Sequence, residues 1–487
     1  MLTGVVHDIG QMAQIDVLSD DVLLEVFDFY TDPNPRGKAE VEAWQTLVHV
    51  CRRWRTLVLG SPRRLNLQVF WTPSTPAQDT QDVWPALPLI VYGVVILPQY
   101  FDNVIAVLGQ ANRIREITLL DLEYLELLEV LDAMQVPFPE LTCLSLSSYI
   151  YSENLRVVPF PGDSFLGGSA PCLQYLELLR IPFPTLPKLR FSADHLAELF
   201  LLRIPRSGYI SPEAMAALLS VLSSLRSLTL DFQFPEYRAG SESQSLPPPK
   251  RSILPSLKFF LFKGVIEYLE RLLTFIDAPQ INYIYMEFFN EINFDCPRLT
   301  QFINCTPTLR AVEEAHVQFD DDTAVVKLRY RTSTSILFGF AIEIPHRNLN
   351  GQLSSIGHVC NSSLRTISTL EYLYIEQEYS RRVWENYAIE NNTRWLELFL
   401  PFTLVKDLYL SKGFAPGIAT ALQGLVGERI TEVLPSLQNI FVEGLETSRT
   451  FEENIGQFIA ARQLSDRPIA ISVWDKDYIG NWKPMPR

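Results

Sequence analysis

The chain has 487 residues, 47% hydrophobic and 20% charged, a balance that fits a folded globular protein and excludes a disordered one. Its 41 basic and 56 acidic residues leave a net charge of −15, which argues against a general nucleic-acid binder and against docking on anionic membranes, since both need a basic footprint. Six cysteines, at 51, 143, 172, 296, 305 and 360, are scattered without a Cys-x-x-Cys pair, so all six thiols are expected free.

Residues 1–14 form an N-terminal tail with no basic n-region and only scattered apolar residues, so no signal peptide is expected. Residues 15–62 read as two short amphipathic helices. Ser19 is placed to cap the first, and Asp20 and Asp21 then suit the positive end of its dipole. Val22, Leu23, Val26, Phe27 and Tyr30 fall on one helical face, and Asp32-Pro33-Asn34-Pro35 stops the helix. The pattern predicts a second helix over about 41–58, with Trp44, Leu47, Val48, Cys51, Trp54 and Val58 as its apolar stripe and Gly60 and Pro62 ending it. Spacing alone does not separate this from two ordinary core helices. Arg52, Arg53, Arg55, Arg63 and Arg64 read as a solvated helix face, with contact to an acidic partner as the functional alternative.

The residues themselves carry a resemblance. Leu18, Asp20, Val22, Leu23, Leu24, Val26 and Phe27, followed by Val50, Cys51, Arg53 and Trp54, resemble an F-box, the helical module that docks onto the Skp adaptor of cullin-RING ubiquitin ligases. Ser19 departs from the family's usual Pro, and the segment from Thr31 to Val41 is longer than typical. The arrangement most resembles the large F-box families of mushroom-forming fungi. The resemblance implies that Leu18, Val22, Leu23, Val26, Phe27, Val50, Cys51 and Trp54 supply the apolar contact to the adaptor or its immediate support. It also implies that Leu23→Asp with Phe27→Asp abolishes adaptor binding.

Residues 63–100, with Trp71, Trp84 and several prolines, read as a linker and first strand region. The longest apolar run, Leu87 to Pro98, is interrupted by Pro88 and Gly93 and falls short of the roughly 20 residues of a membrane span. A cytoplasmic or nuclear location is therefore expected. From about residue 101 to 487 one unit recurs, apolar-x-x-apolar-x-apolar, in twelve copies at intervals of 23 to 35 residues. Clear examples are Leu141/Leu144/Leu146, Leu225/Leu228/Leu230, Leu370/Leu373/Ile375 and Leu437/Ile440/Val442; Val312/Ala315/Val317 and Leu337/Phe340/Ile342 are weaker. The last two positions lie on one side of a strand, and the first sits on the turn leading in. Helices are expected over Asp102–Gln110, Pro212–Leu222, Val265–Ile276 and Pro416–Val426, against which the strands bury that side. The repeats resemble the leucine-rich-repeat superfamily in a degenerate form, without most of the Asn or Cys that follows the strand. The expected fold is α/β: a short N-terminal helical F-box followed by an irregular leucine-rich-repeat-like solenoid of strand-helix units. A helix from Phe451 and a strand at Ile469–Trp474 are expected to cap it.

Residues 159–171 and 237–251 read as loops, and Asp320-Asp321-Asp322 as a solvated turn. There is no Walker A loop, no Gly-x-Gly-x-x-Gly after a strand, no His-Glu-x-x-His and no Gly-x-Ser-x-Gly, and the six histidines are dispersed. Neither an enzyme activity nor a cofactor nor a metal is therefore expected. The function expected is that of a substrate receptor of a Skp-cullin-F-box ligase that captures a protein target; the alternative is a repeat-based binding scaffold with no ligase link. Strand alternation puts Tyr175, Glu177, Arg226, Tyr283 and Tyr372 on or beside the concave side. Thr229, Tyr285, Tyr374 and Tyr409, between paired apolar positions, are expected to be exposed there and to bind the target.

Overall fold

The computed structural model describes residues 18–30, 42–79, 87–94, 96–149, 164–182, 195–235, 251–290, 296–307, 312–330, 338–362, 364–377, 393–425, 427–444 and 449–474. These fall into two compact units, divided between residues 173 and 174. The helical segment and the first four strands thus share one unit.

In the first unit, α1 (Asp20–Tyr30) starts where Ser19 Oγ accepts from the Val22 amide at 3.4 Å, as its cap role requires. The single helix expected over 41–58 is instead two, α2 (Trp44–Val48) and α3 (Arg52–Gly60). The break falls at Cys51, whose extended backbone makes it the N-cap of α3, with its Sγ accepting from the Trp54 amide at 3.5 Å. Leu23, Leu24 and Phe27 of α1 bury against Trp44, Leu47, Val48 and Val58, and Phe27 meets Trp54 at 4.7 Å between ring centroids. The Trp44 indole donates to the Gln68 carbonyl at 2.9 Å and so ties this helical core to the first strand. Strands β1 (Val69–Trp71), β2 (Leu89–Val94), β3 (Ile114–Leu122) and β4 (Cys143–Ser148) pair in parallel and in chain order. Helices α4 (Phe101–Leu108) and α5 (Tyr124–Ala133) return the chain between them; α5 is opened by a capping box of Glu123 and Glu126.

The second unit continues the unit structure with β5 (Tyr175–Leu179), β6 (Glu198–Ile204), β7 (Ser227–Phe232), β9 (Phe259–Gly264) and β11 (Tyr283–Phe288), again parallel and in order. The short β8 (Ser252–Ile253) and β10 (Ile276–Asp277) pair only with each other. After β11 the order breaks. The chain passes through α8 (Pro297–Cys305; α6 is Pro212–Leu219 and α7 Ile266–Leu273) to β12 (Glu314–Phe319), turns at Asp320–Asp322 into antiparallel β13 (Thr323–Arg329), and returns as β14 (Phe338–Pro345) beside β11. The chain then runs through α9 (Leu349–Ser362) to β15 (Tyr372–Gln377), parallel to β12. Next come α10 (Thr393–Phe399), β16 (Asp407–Leu410), α11 (Ala415–Gln423), β17 (Asn439–Glu443), α12 (Arg449–Leu464) and β18 (Ala470–Trp474).

All twelve copies of the repeat lie on strands, and the paired apolar positions are buried: Leu228 and Leu230, for example, are at most 1% exposed. Full burial of each is worth about 1.5–3 kcal/mol. In seven copies the leading position sits on a turn as expected, since the amides of Leu141, Leu173, Leu225, Leu257, Ile281, Leu370 and Leu437 each bond the carbonyl three residues earlier, whereas Ile114 already belongs to β3 and Leu337 lies outside the described residues. The last strand is a less complete cap than expected, because Ile471 and Val473 remain 43% and 53% exposed on the side its neighbours bury.

The six cysteines form no disulfide. Cys296 and Cys360 are buried, and burial pushes the Cys360 thiol up, whereas Cys51 and Cys305 are exposed. Titration of the native protein with a thiol reagent is expected to modify Cys51 and Cys305 first and Cys296 and Cys360 only after unfolding, with all six reacting in denaturant. Fast native modification of Cys360 would contradict this placement.

Candidate functional site

The helical segment of the first unit separates its apolar residues into two groups. Leu23 and Phe27, each 1% exposed, belong to the segment's own core. Val22, Val26 and Phe29, at i, i+4 and i+7 of α1, form an outward stripe and are 44%, 50% and 91% exposed. Tyr30, Val50 and Leu59, 53%, 59% and 39% exposed, are the other large apolar side chains left open among the described residues of the segment. Of the residues expected to contact an adaptor, Val22, Val26, Val50 and the cap Cys51 are therefore open. Leu18 and Trp54 are half-buried, and Leu23 and Phe27 serve as support. Phe29, the most exposed of all, lies outside the stripe read from the sequence, although its i+7 spacing from Val22 marks it. Two of the clustered arginines have acidic partners within the unit. Arg53 contacts Asp20 at 2.6 Å and the Leu18 carbonyl at 2.6 Å, and Arg64 contacts Glu25 at 2.5 Å, so these contacts brace α1 against the start and end of α3.

In the second unit, strand pairing lines up the sheet face opposite the buried repeat leucines. One row runs in register through Thr229, Leu261, Tyr285, Ala341, Lys327, His316, Tyr374, Tyr409 and Phe441. Adjacent strands lie about 4.8 Å apart, which is close to the stacking distance of flat rings. His316 and Tyr374 stack at 4.2 Å and 3°, Tyr374 and Tyr409 at 4.2 Å and 13°, and Tyr409 and Phe441 at 4.5 Å and 9°. Trp474 closes over this ladder edge-on, 5.6 Å from Tyr409 and 6.0 Å from Tyr374.

The four residues expected to be exposed do lie on the face opposite the repeat leucines, but their expected exposure is corrected. Thr229 and Tyr374 are buried, at 5% and 6%, while Tyr285 and Tyr409 are half-buried. Alternation decides which side a residue faces; its in-register neighbours decide whether it stays open. Phe200 and Leu261 flank Thr229, and rings cover both faces of Tyr374.

A second row lies two residues further along each strand, on the same face. Asp231, Lys263, Glu287 and Glu343 stand side by side on β7, β9, β11 and β14. Lys263 pairs with Glu287 at 2.5 Å, and the Tyr285 hydroxyl donates to Glu343. Burial pushes the carboxyls of Asp231 and Glu343 up, and the neighbouring Glu287 adds to both. Beyond this row, Lys327 and Arg329 are buried beside a network in which Gln318 and His316 reach Glu376 at 2.6 Å and 3.3 Å, and Lys327 donates to Gln318. None of these charged residues was singled out from the sequence. A signal was present in half of the copies: in six of the twelve the position after the second paired apolar residue is charged, namely Asp231, Lys263, Glu287, Glu343, Glu376 and Glu443.

A raised folded-state pKa means that ionisation opposes folding, so stability from such a carboxyl is complete below the ordinary carboxylate range and is lost as pH rises through the raised value. Glu343→Gln keeps an acceptor for Tyr285 without the charge. The variant is expected to melt above the wild type at pH 7, with the gap closing toward pH 4; a variant less stable at pH 7 would contradict this sign.

Among the described residues no group of three or more His, Cys, Asp or Glu side chains is placed to hold a metal, and no helix is long and apolar enough to cross a membrane. No protein-family model matches the chain, and no curated protein matches it in sequence. A solved structure, the leucine-rich repeat-containing protein LegL7 from Legionella pneumophila, is similar over 80% of this chain and 97% of its own, at 11% identity and a TM-score of 0.28. So distant a likeness adds nothing to the fold, which rests on the chain's own turn-strand-helix units. They make it an α/β protein of stacked strand-helix repeats, with an apolar stripe open on the N-terminal helices of one unit and an acidic, ring-lined sheet face on the other.

Proposed function

We propose that this chain is the substrate receptor of a Skp-cullin-F-box type ubiquitin ligase, with the helical segment docking on the Skp adaptor and the repeat array holding a protein target. The chain performs no bond chemistry in this reading; it raises the local concentration of a target lysine at the ligase. The observation that carries it is the outward stripe of Val22, Val26 and Phe29 on a helix whose other face is already satisfied by its own core. An open aromatic and aliphatic stripe of this kind suits a protein interface. The alternative is a binding scaffold with no ligase link, for which the repeat array alone suffices.

Co-purification with the Skp adaptor separates the two. Val22→Asp with Phe29→Asp is expected to abolish adaptor capture, a loss of about 2 kcal/mol or more, while the melting temperature stays near that of the wild type because neither side chain is buried. A wild-type chain that never captures the adaptor would leave the scaffold reading.

A further inference from the structure

We propose that a second copy of this chain pairs with the open edge of β18, strand against strand and antiparallel about a two-fold axis at Ser472. The inference stands apart from the ligase reading, since it involves neither the helical segment nor the sheet face as a capture surface.

β18 is the last strand of its sheet and pairs with β17 on one edge alone. The amide of Ala470 donates to the Gln438 carbonyl at 2.9 Å, and the Trp474 carbonyl accepts from the Gly444 amide at 3.4 Å. Along a strand the N–H and C=O of one residue point to one edge and those of the next residue to the other. Ala470, Ser472 and Trp474 therefore bond β17, and the backbone groups of Ile471 and Val473 point to the open edge. The same two residues leave their side chains 43% and 53% exposed, on the face where Ile440 and Val442 beside them are buried. Leu464, 91% exposed at the end of α12, leaves a third apolar side chain uncovered on this last unit. Edge strands that stay single are usually guarded by a charge or a proline. The strand Ala-Ile-Ser-Val-Trp has neither.

The symmetry of the strand selects a copy of itself as the partner. Antiparallel strands alternate between residue pairs that exchange two backbone bonds and pairs that exchange none. With Ser472 facing Ser472 of the second copy as an unbonded pair, Ile471 faces Val473 on either side as a bonded pair. Every outward N–H of the two residues then meets a carbonyl, and their exposed side chains meet on one face. Centring the axis on Ile471 or Val473 would set the other against a residue outside the strand, and a slip of one residue would oppose an outward group to an inward one. The contact is isologous and closes at two copies, so it gives a dimer and not a fibre. It is also small. One five-residue strand per copy buries less than the roughly 800 Å² per partner of a standard interface, so pairing is expected in the micromolar range rather than below it. Each copy carries a charge of −15, so added salt is expected to strengthen pairing.

The test is sedimentation velocity on the full-length chain from about 1 to 100 μM. A monomer is expected at the low end and a dimer at the high end. Ile471→Lys with Val473→Lys is expected to keep the chain monomeric throughout and its melting temperature near that of the wild type, because both side chains are already open. Ser472→Cys tests the register. Its thiol would face its own copy across an unbonded pair, where Cα atoms lie about 4.5 Å apart, within reach of a disulfide. Mild oxidation is expected to cross-link this variant at least about tenfold more than Ala460→Cys, an exposed position on α12, with the wild type as background because Cys51 and Cys305 are exposed. A wild-type chain that stays monomeric would overturn the proposal, as would a dimer that survives the lysine pair or equal cross-linking at both cysteines. Hydrogen exchange at low concentration tests whether another segment covers the edge. Fast exchange of the Ile471 and Val473 amides is expected, and protection of both in the monomer would overturn the proposal.

Discussion

Leu23→Asp combined with Phe27→Asp is expected to unfold the N-terminal helical segment rather than merely detach it from a partner. Both side chains are 1% exposed, and Phe27 sits against Trp54 at 4.7 Å. A carboxylate placed there has no cation within the apolar cluster of Leu24, Trp44, Leu47, Val48 and Val58. Burying it unpaired costs several kcal/mol, and protonating it instead still leaves a polar group without a partner. Two such changes, together roughly 4 kcal/mol or more, exceed what helices of eleven, five and nine residues hold in reserve without their shared core. The measurement is hydrogen exchange over 20–60, where amide protection is expected to disappear. Protection is expected to weaken at β1 as well, because the Trp44 indole bonds the Gln68 carbonyl, while the second unit keeps its own core. Adaptor capture by this double variant therefore reports folding, whereas capture by the Val22/Phe29 variant reports contact. Native-like protection in the Leu23/Phe27 variant would show that the helical core described here is wrong.

That difference marks how far the sequence could be read. Period and capping residues identify α1, and the repeat identifies twelve strands with the correct buried side, because each copy carries its own pair of apolar residues and most carry a turn before it. Two kinds of information were not local. The first is accessibility. Val22 and Leu23 are equally apolar neighbours, and only the packing of α2 and α3 decides that one is open and the other closed; Tyr374 is enclosed because rings on two other strands stand in register with it. The second is strand order. The copies at 312 and 337 look like successive units, yet β13, which lacks the repeat pattern, inserts between them and reverses their order. Its sequence, Thr323 to Arg329, alternates in the manner of a strand, but its outward positions are Lys327 and Arg329, which read as solvent-facing. In the fold they are buried beside Gln318 and Glu376, so the reversal builds the polar network in the middle of the face. The charged row was legible in part, since from Asp231 onward the same position of the repeat is charged in six of eight copies.

Arg462→Met is expected to loosen the C-terminal end of the second unit by about 3 kcal/mol. Arg462 lies on α12 and is fully buried, and burial together with the charge of Arg467 holds its guanidinium below the usual arginine range. The group nevertheless stays charged, because its ordinary value lies so far above neutrality. Its donors reach the carbonyls of Ile430, Leu434, Pro435 and Leu437, all at 3.2–3.3 Å. These carbonyls turn inward because the chain bends sharply before β17: Leu434 takes a left-handed φ of 48°, which a leucine adopts at a cost, and no neighbouring strand is placed to bond a turn. The Leu434 carbonyl also accepts from the Leu437 amide at 3.1 Å and the Pro435 carbonyl from Arg467 at 2.8 Å, so Arg462 adds a second donor to these two and bonds the Ile430 and Leu437 carbonyls from the side. Methionine retains much of the volume and none of the donors, so several carbonyls lose a charged partner worth about 1.5–3 kcal/mol each, less whatever water recovers. Arg462→Lys is expected to recover less than half, since one ammonium does not span carbonyls spread from Ile430 to Leu437 as a planar fork does. Urea unfolding gives the size of the loss, and hydrogen exchange at β17 and β18 gives its place. Phe441 ends the ring ladder on β17 and Glu443 follows it, so fraying there is also expected to weaken protection at Tyr409 before it reaches β11. An Arg462→Met variant within about 0.5 kcal/mol of the wild type would show that these carbonyls find other partners and that the buried guanidinium is not what holds the turn.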